Sequence, residues 1–127
     1  IAREVTERGF SVVYDTAAAI FRVMENEYFH RGEEDNSDAV ERFLRCDLLI
    51  MDDLGTELTT AFVQSALYRI INTRLTAGKS TVISTNLSPD ELYERYTAQI
   101  FSRIEGEYEI LPCLGDDIRL LKRQKTQ

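Results

Sequence analysis

Apolar positions change their period several times along the chain, and each change marks an element. The opening "IAREVTERGF" carries Ile1, Val5 and Arg8 on one helical face and stops at Gly9, so it reads as the end of a helix. "FSVVYD", residues 10 to 15, is β-branched and aromatic and reads as a short strand, after which Asp15 or Thr16 can cap a helix. Ala17, Ile20, Phe21, Met24 and Tyr28 then recur at helical spacing until the polar loop "HRGEEDNSD". A short helix over Ala39 to Arg45 leads to "CDLLIMDDLG", in which four apolar residues end in two acids. A run of that kind, apolar on both faces, fits a strand inside a parallel sheet.

In the second half Thr59 or Thr60 opens a long amphipathic helix with Phe62, Val63, Ala66, Leu67, Ile70, Ile71 and Leu75 on one stripe. "TVIST" follows Gly78 as a strand. Ser88, Pro89 and Glu91 form a capping box that opens a helix to about Arg95. A further helix spans about Thr97 to Glu105, and "YEILPCLG" reads as a last strand stopped by Pro112. Strands alternating with helices predict an α/β fold, a three-layer parallel sheet with helices on both faces. Ligands of such sheets sit at the carboxyl ends of the strands. Asp52 and Asp53 stand at one such end and Asn86 at the next.

Composition narrows the function. With 127 residues and 43% hydrophobic content the chain suffices for one domain with a core. A formal charge of −7 argues against a broad phosphate-coating surface, although a local basic groove remains open. The tail "RLLKRQK" is its most basic segment, and "EGEYE" and "RGEEDNSD" read as solvated acidic faces. Cys46 and Cys113 lie far apart without a CxxC pairing, which supports neither a disulfide framework nor a zinc site. No apolar run is long enough for a membrane span or a signal peptide, so a soluble, cytoplasmic protein is expected. His30 ends a helix and reads as solvated or capping.

"GKS" at Gly78 to Ser80 ends as a phosphate-binding P-loop does, but Thr73 stands where that loop needs its first glycine. It also leaves a helix and enters a strand, the reverse of a P-loop, so it is read as a helix C-terminal turn. "LLIMDD" instead has the form of a Walker B motif. Adjacent residues leaving a strand point to different sides, so Asp52 can hold magnesium through its water shell while Asp53 orients or deprotonates water. Two acids ending a strand at an ordinary turn is the plain alternative. Asn86, at the tip of the next strand, offers an uncharged amide to that water or to a γ-phosphate.

Together, "CDLLIMDDLGTE", "AFVQSALYRIINTRL", "STVISTNLSPDELYERY", "IFSRIEG" and "GDDIRLLKR" resemble, in order and over nearly the whole chain, the AAA+ ATPases. Within these the likeness is to the DnaC/DnaI-type helicase loaders and the similar IstB transposition ATPases. The resemblance implies ATP and Mg2+ as cofactors, with Asp52 as metal ligand, Asp53 as catalytic acid and Asn86 as sensor 1. Many AAA+ proteins have Glu at the Asp53 position, and the shorter reach of Asp implies slow hydrolysis. Arg103 in "FSRIEG" matches the arginine finger, which reaches the γ-phosphate of a neighbouring subunit and so implies a homo-oligomer acting in trans. Arg119 stands where the sensor 2 arginine would be.

No Walker A motif is present, and the resemblance expects it just upstream of Ile1, together with the first sheet strand. Residues 1 to 127 would then be a partial AAA+ domain. In the family that strand lies between the sensor 1 strand and the last one, so a gap or a rearrangement is expected there. The chain by itself should bind nucleotide poorly. The resemblance implies an ATPase that loads a replicative helicase onto single-stranded DNA. An IstB-like transposition ATPase and a non-catalytic interaction module on the same scaffold are the alternatives. A receiver-type domain ranks below them, because Lys79 stands before a strand rather than at its end.

Overall fold

The computed structural model describes residues 2–29, 37–57, 59–112 and 118–122. Its elements are α1 (Ala2–Glu7), β1 (Val12–Thr16), α2 (Ala17–Phe29), α3 (Ser37–Arg45), β2 (Leu48–Leu54) and α4 (Ala61–Thr76). β3 (Ser80–Thr85), α5 (Pro89–Arg95), α6 (Ala98–Glu107), β4 (Tyr108–Pro112) and β5 (Ile118–Lys122) follow. His30, Cys113 and most of the polar loop lie outside the described residues, and among the described residues no helix is long and apolar enough to cross a membrane.

The helix starts follow local chemistry. Thr16, not Asp15, accepts from the Ala19 amide at 3.1 Å to cap α2. Thr60, not Thr59, accepts from Val63 to cap α4. The capping box is complete: Ser88 accepts from the Glu91 amide at 3.2 Å, and Glu91 accepts from the Ser88 amide at 2.8 Å. Thr97 caps α6 by a single bond, its hydroxyl accepting from the Ile100 amide at 3.3 Å.

The sheet runs β1-β2-β3-β5-β4. β1, β2 and β3 are parallel, and β5 is antiparallel to both β3 and β4. β4 therefore runs in the direction of β1 to β3, one strand away from β3, and β5 fills the intervening place. That place is where a gap or rearrangement was expected. The tail, for which no strand was expected, supplies the strand that closes it, and Arg119 stands opposite Ser84 in the ladder.

One sheet face carries Leu49, Met51 and Ile83, each fully buried. These pack in a single core with Ile20, Phe21 and Met24 of α2, Leu67, Ile70 and Ile71 of α4, and Ile100 and Ile104 of α6. Each such side chain contributes about 2 kcal/mol through its removal from water. Ile50, Val82 and Ser84, on the other face, are only half-buried. Asp52 follows Ile50 by two residues and thus emerges on this more open face.

A charged residue sits within the core. Arg74 is fully buried and donates to the Phe43 carbonyl at 2.9 Å, the Ser80 carbonyl at 2.7 Å and the Thr81 hydroxyl at 2.8 Å. Burial pushes its pKa down from the usual arginine value, opposed by the nearby Cys46. The guanidinium fork ties the end of α4 to the end of α3 and the start of β3.

Candidate functional site

β2 does not pair evenly with β3 to its end. Met51 stands opposite Ile83 and Leu54 opposite Thr85, so three steps on β2 match two on β3. The extra residue makes a β-bulge between Met51 and Leu54, the stretch that holds Asp52 and Asp53. A bulge re-aims side chains and increases local twist. Asp53 also adopts φ 59°, the one non-glycine positive φ among the described residues. Asp and Asn tolerate that left-handed conformation better than other side chains, but it is still strained.

The two acids consequently differ. Asp52 is half-buried, with the Tyr14 phenol donating to its Oδ2 at 2.8 Å and the Ser84 hydroxyl donating to its Oδ1. Asp53 is exposed, its amide donating to Ser84 Oγ at 3.0 Å. After it the chain turns tightly: the Thr56 hydroxyl donates to the Asp53 carbonyl at 3.0 Å, and Gly55 takes φ 106°. The turn is held from α5, where Arg95 donates to the Gly55 carbonyl at 2.5 Å. Glu57 accepts from the Gly55 amide at 3.0 Å and from the Tyr96 hydroxyl at 2.7 Å. Burial, then the Glu57 carboxylate, pushes Tyr96 far above the ordinary tyrosine pKa, so it remains a proton donor there.

Thr85 positions Asn86. Its buried hydroxyl donates to the Leu54 carbonyl at 2.6 Å and accepts from the Leu87 amide at 3.1 Å, which stitches the ends of β2 and β3. Asn86 then projects into solvent beside the acids. Asp52, Asp53 and Asn86 are thus brought to adjacent strand ends. Arg103 is not brought to them; it lies on α6, half-buried, and donates to Asn72 Oδ1 on α4. Arg119 is on β5 at the level of Ser84, and its side chain lies outside the described residues.

"GKS" is no phosphate cradle. Gly78, φ 73°, follows the end of α4 with its amide donating to Leu75 O, and the Lys79 amide donates to Arg74 O at 2.8 Å. The Lys79 ammonium lies 3.4 Å from Asp47, and Ser80 begins β3. A hollow lined by Ser11, Val12, Val13, Arg42, Arg45 and Cys46 lies at the start of β1, at the opposite sheet end from Asp52.

Sequence reasoning missed Tyr14 and Ser84 as partners of the acids. Alternation places Tyr14 two residues before the end of its strand and Ser84 one residue before the end of its own. That period was the available signal; the contact depends on register between strands.

A family model described as IstB-like ATP binding protein matches residues 1–126. The chain belongs to this family. Solved AAA+ structures agree on the fold. AMPPCP-bound DnaA from Aquifex aeolicus has a TM-score of 0.65 at 23% identity, covering 83% of this chain and 32% of that one. DnaA bound to AMPPCP and single-stranded DNA has a TM-score of 0.70 at 22% identity, with coverage of 83% and 32%. A DnaC helicase loader has a TM-score of 0.65 at 21% identity, with coverage of 80% and 60%. The chain therefore spans about a third of those DnaA structures and 60% of the loader. No curated protein matches it. At these identities the structures establish an AAA+ P-loop NTPase-like α/β fold, and the IstB-like family adds ATP as the family's ligand.

Proposed function

We propose that this chain carries the Walker B carboxylates of an ATP-hydrolysing AAA+ protein of DNA replication, one that loads a replicative helicase onto single-stranded DNA. The observation that supports this best is the bulge at the end of β2, which separates a tethered Asp52 from an exposed Asp53 beside Asn86.

Asp52 and Asp53 offer hard carboxylate oxygens, and among the described residues no group of three His, Cys, Asp or Glu gathers to hold a metal. That donor set fits Mg2+, which takes one or two carboxylates together with phosphate oxygens and water, and it does not fit structural zinc. Asp52 would hold the ion; bound magnesium neutralises charge on phosphate oxygens. The exposed Asp53 carboxylate would accept a hydrogen bond or a proton from the attacking water, and the Asn86 amide would hold that water or a γ-phosphate oxygen. A phosphate-cradling loop is not among the described residues.

Arg103 would serve a neighbouring subunit of a homo-oligomer. Its bond to Asn72 keeps the guanidinium ordered until a partner's phosphate replaces the amide as its acceptor. Arg119 would lie near the phosphates. Helicase and DNA as partners are supported by the family and by the likeness to a DnaC loader and to DnaA with single-stranded DNA. The IstB-like family match itself favours a second reading, a transposition ATPase with the same chemistry.

The test is ATP turnover by the intact polypeptide. Asp53→Asn should lower it by at least about 100-fold while ATP still binds. Arg103→Ala should remove only the turnover that rises with protein concentration. Unchanged turnover in Asp53→Asn would sink the Walker B assignment.

A further inference from the structure

Asp52 does not meet solvent with bare carboxylate oxygens. The Tyr14 phenol reaches Oδ2 from β1, and the Ser84 hydroxyl reaches Oδ1 from β3. The Ser84 oxygen in turn accepts the Asp53 amide. A serine hydroxyl carries one proton. Here that proton is committed to Asp52, so the chain of bonds has one direction: Asp53 amide to Ser84, and Ser84 to Asp52.

Register explains the reach. Tyr14 pairs with Ile50 and Thr16 with Asp52, so Tyr14 shares a face with both Ile50 and Asp52 and crosses diagonally to the carboxylate. From the other side, the bulge turns the Asp53 amide toward Ser84 instead of into the regular ladder. One hydroxyl therefore holds the side chain of the first acid and the backbone of the second. Each bond occupies one lone pair on Asp52.

We infer that Ser84 and Tyr14 are positioning residues for metal-nucleotide at Asp52, with Ser84 coupling the placement of Asp52 to that of Asp53. The inference rests on the reading of Asp52 as the metal-side carboxylate, and it adds two residues that neither the motif nor the family match assigns. Tyr14 is 60% exposed and on an edge strand, so removing its hydroxyl leaves the core untouched.

The test uses Mn2+ as probe, with AMPPCP bound to the intact polypeptide, and reads free Mn2+ by electron paramagnetic resonance. Ser84→Ala should weaken Mn2+ binding about tenfold, Ser84→Thr should restore it, and Tyr14→Phe should weaken it less. Melting temperature and metal-free AMPPCP affinity should not move. Wild-type Mn2+ affinity in both Ser84→Ala and Tyr14→Phe, with binding lost in Asp52→Asn, would overturn the inference and leave the site reading intact. Wild-type affinity in Asp52→Asn would remove the site reading itself, and the inference with it. If Ser84→Ala melts early, Tyr14→Phe decides, and an unchanged Mn2+ affinity there overturns the inference.

Discussion

A Cβ placed on Gly55 would lie 2.7 Å from Cδ1 of Leu87, closer than such atoms approach. Leu87 follows Asn86, and Gly55 closes the turn after Asp53, so the two candidate segments lock against each other at this contact. Gly55 also needs φ 106°, which side chains rarely adopt. Gly55→Ala is therefore expected to destabilise by about 2 kcal/mol and to displace the Asp53 turn. Chemical denaturation reads the first effect. A wild-type midpoint would mean that the turn adapts freely.

Asp53 should tolerate an amide and resist a branch. Asn accepts the left-handed backbone as Asp does, so Asp53→Asn should stay within about 0.5 kcal/mol of wild type. Asp53→Val, β-branched at φ 59°, should cost about 2 kcal/mol. Equal stability of the two variants in urea would argue against the left-handed conformation. The Asn variant is thus a clean reagent for turnover assays, because it changes charge and preserves the backbone.

Arg74→Lys keeps the charge and loses the fork. A single ammonium cannot serve the Phe43 and Ser80 carbonyls and the Thr81 hydroxyl with the same geometry. The unpaired carbonyl this leaves should lower stability by about 2 kcal/mol. Thermal melting checks it, and a midpoint equal to wild type would contradict the role given to the fork.

Asp47 sets an acid-side signature. The Ser11 amide, then the Ser11 hydroxyl, holds its pKa below the ordinary 3.8, with Lys79 adding to the effect. A folded-state pKa below the unfolded one contributes stability that is present above about pH 4 and lost as pH falls through the folded value. Asp47→Asn should therefore flatten the fall in stability below about pH 4 and remove the contribution above it. Denaturation at a series of pH values reads this, and identical acid limbs would refute it.

Local signals carried much of this architecture. The cap at Ser88, the helix start at Thr59 or Thr60 and the two-acid end of β2 depend on neighbours in sequence, and they were readable there. So was the "GKS" turn, because its order of helix then strand is wrong for a P-loop. β5 was not readable: "IRLLK" is five residues, and it becomes a strand by pairing with β3 on one side and β4 on the other. Arg74 looked like any basic residue near a helix end, because its acceptors come from α3 and β3. Tyr14 and Ser84 were invisible as partners for the same reason. That Asp52, Asp53 and Asn86 lie at neighbouring strand ends was legible because one strand end follows another in a parallel sheet.

The most direct test of a nucleotide site at the ends of β2 and β3 is paramagnetic broadening of backbone amide signals. Mn2+ would be titrated into the intact polypeptide with AMPPCP bound. Broadening centred on Asp52, Asp53, Ser84 and Asn86 is the expected result. Broadening centred elsewhere, with these four amides sharp at saturating Mn2+, would contradict the assignment of the site.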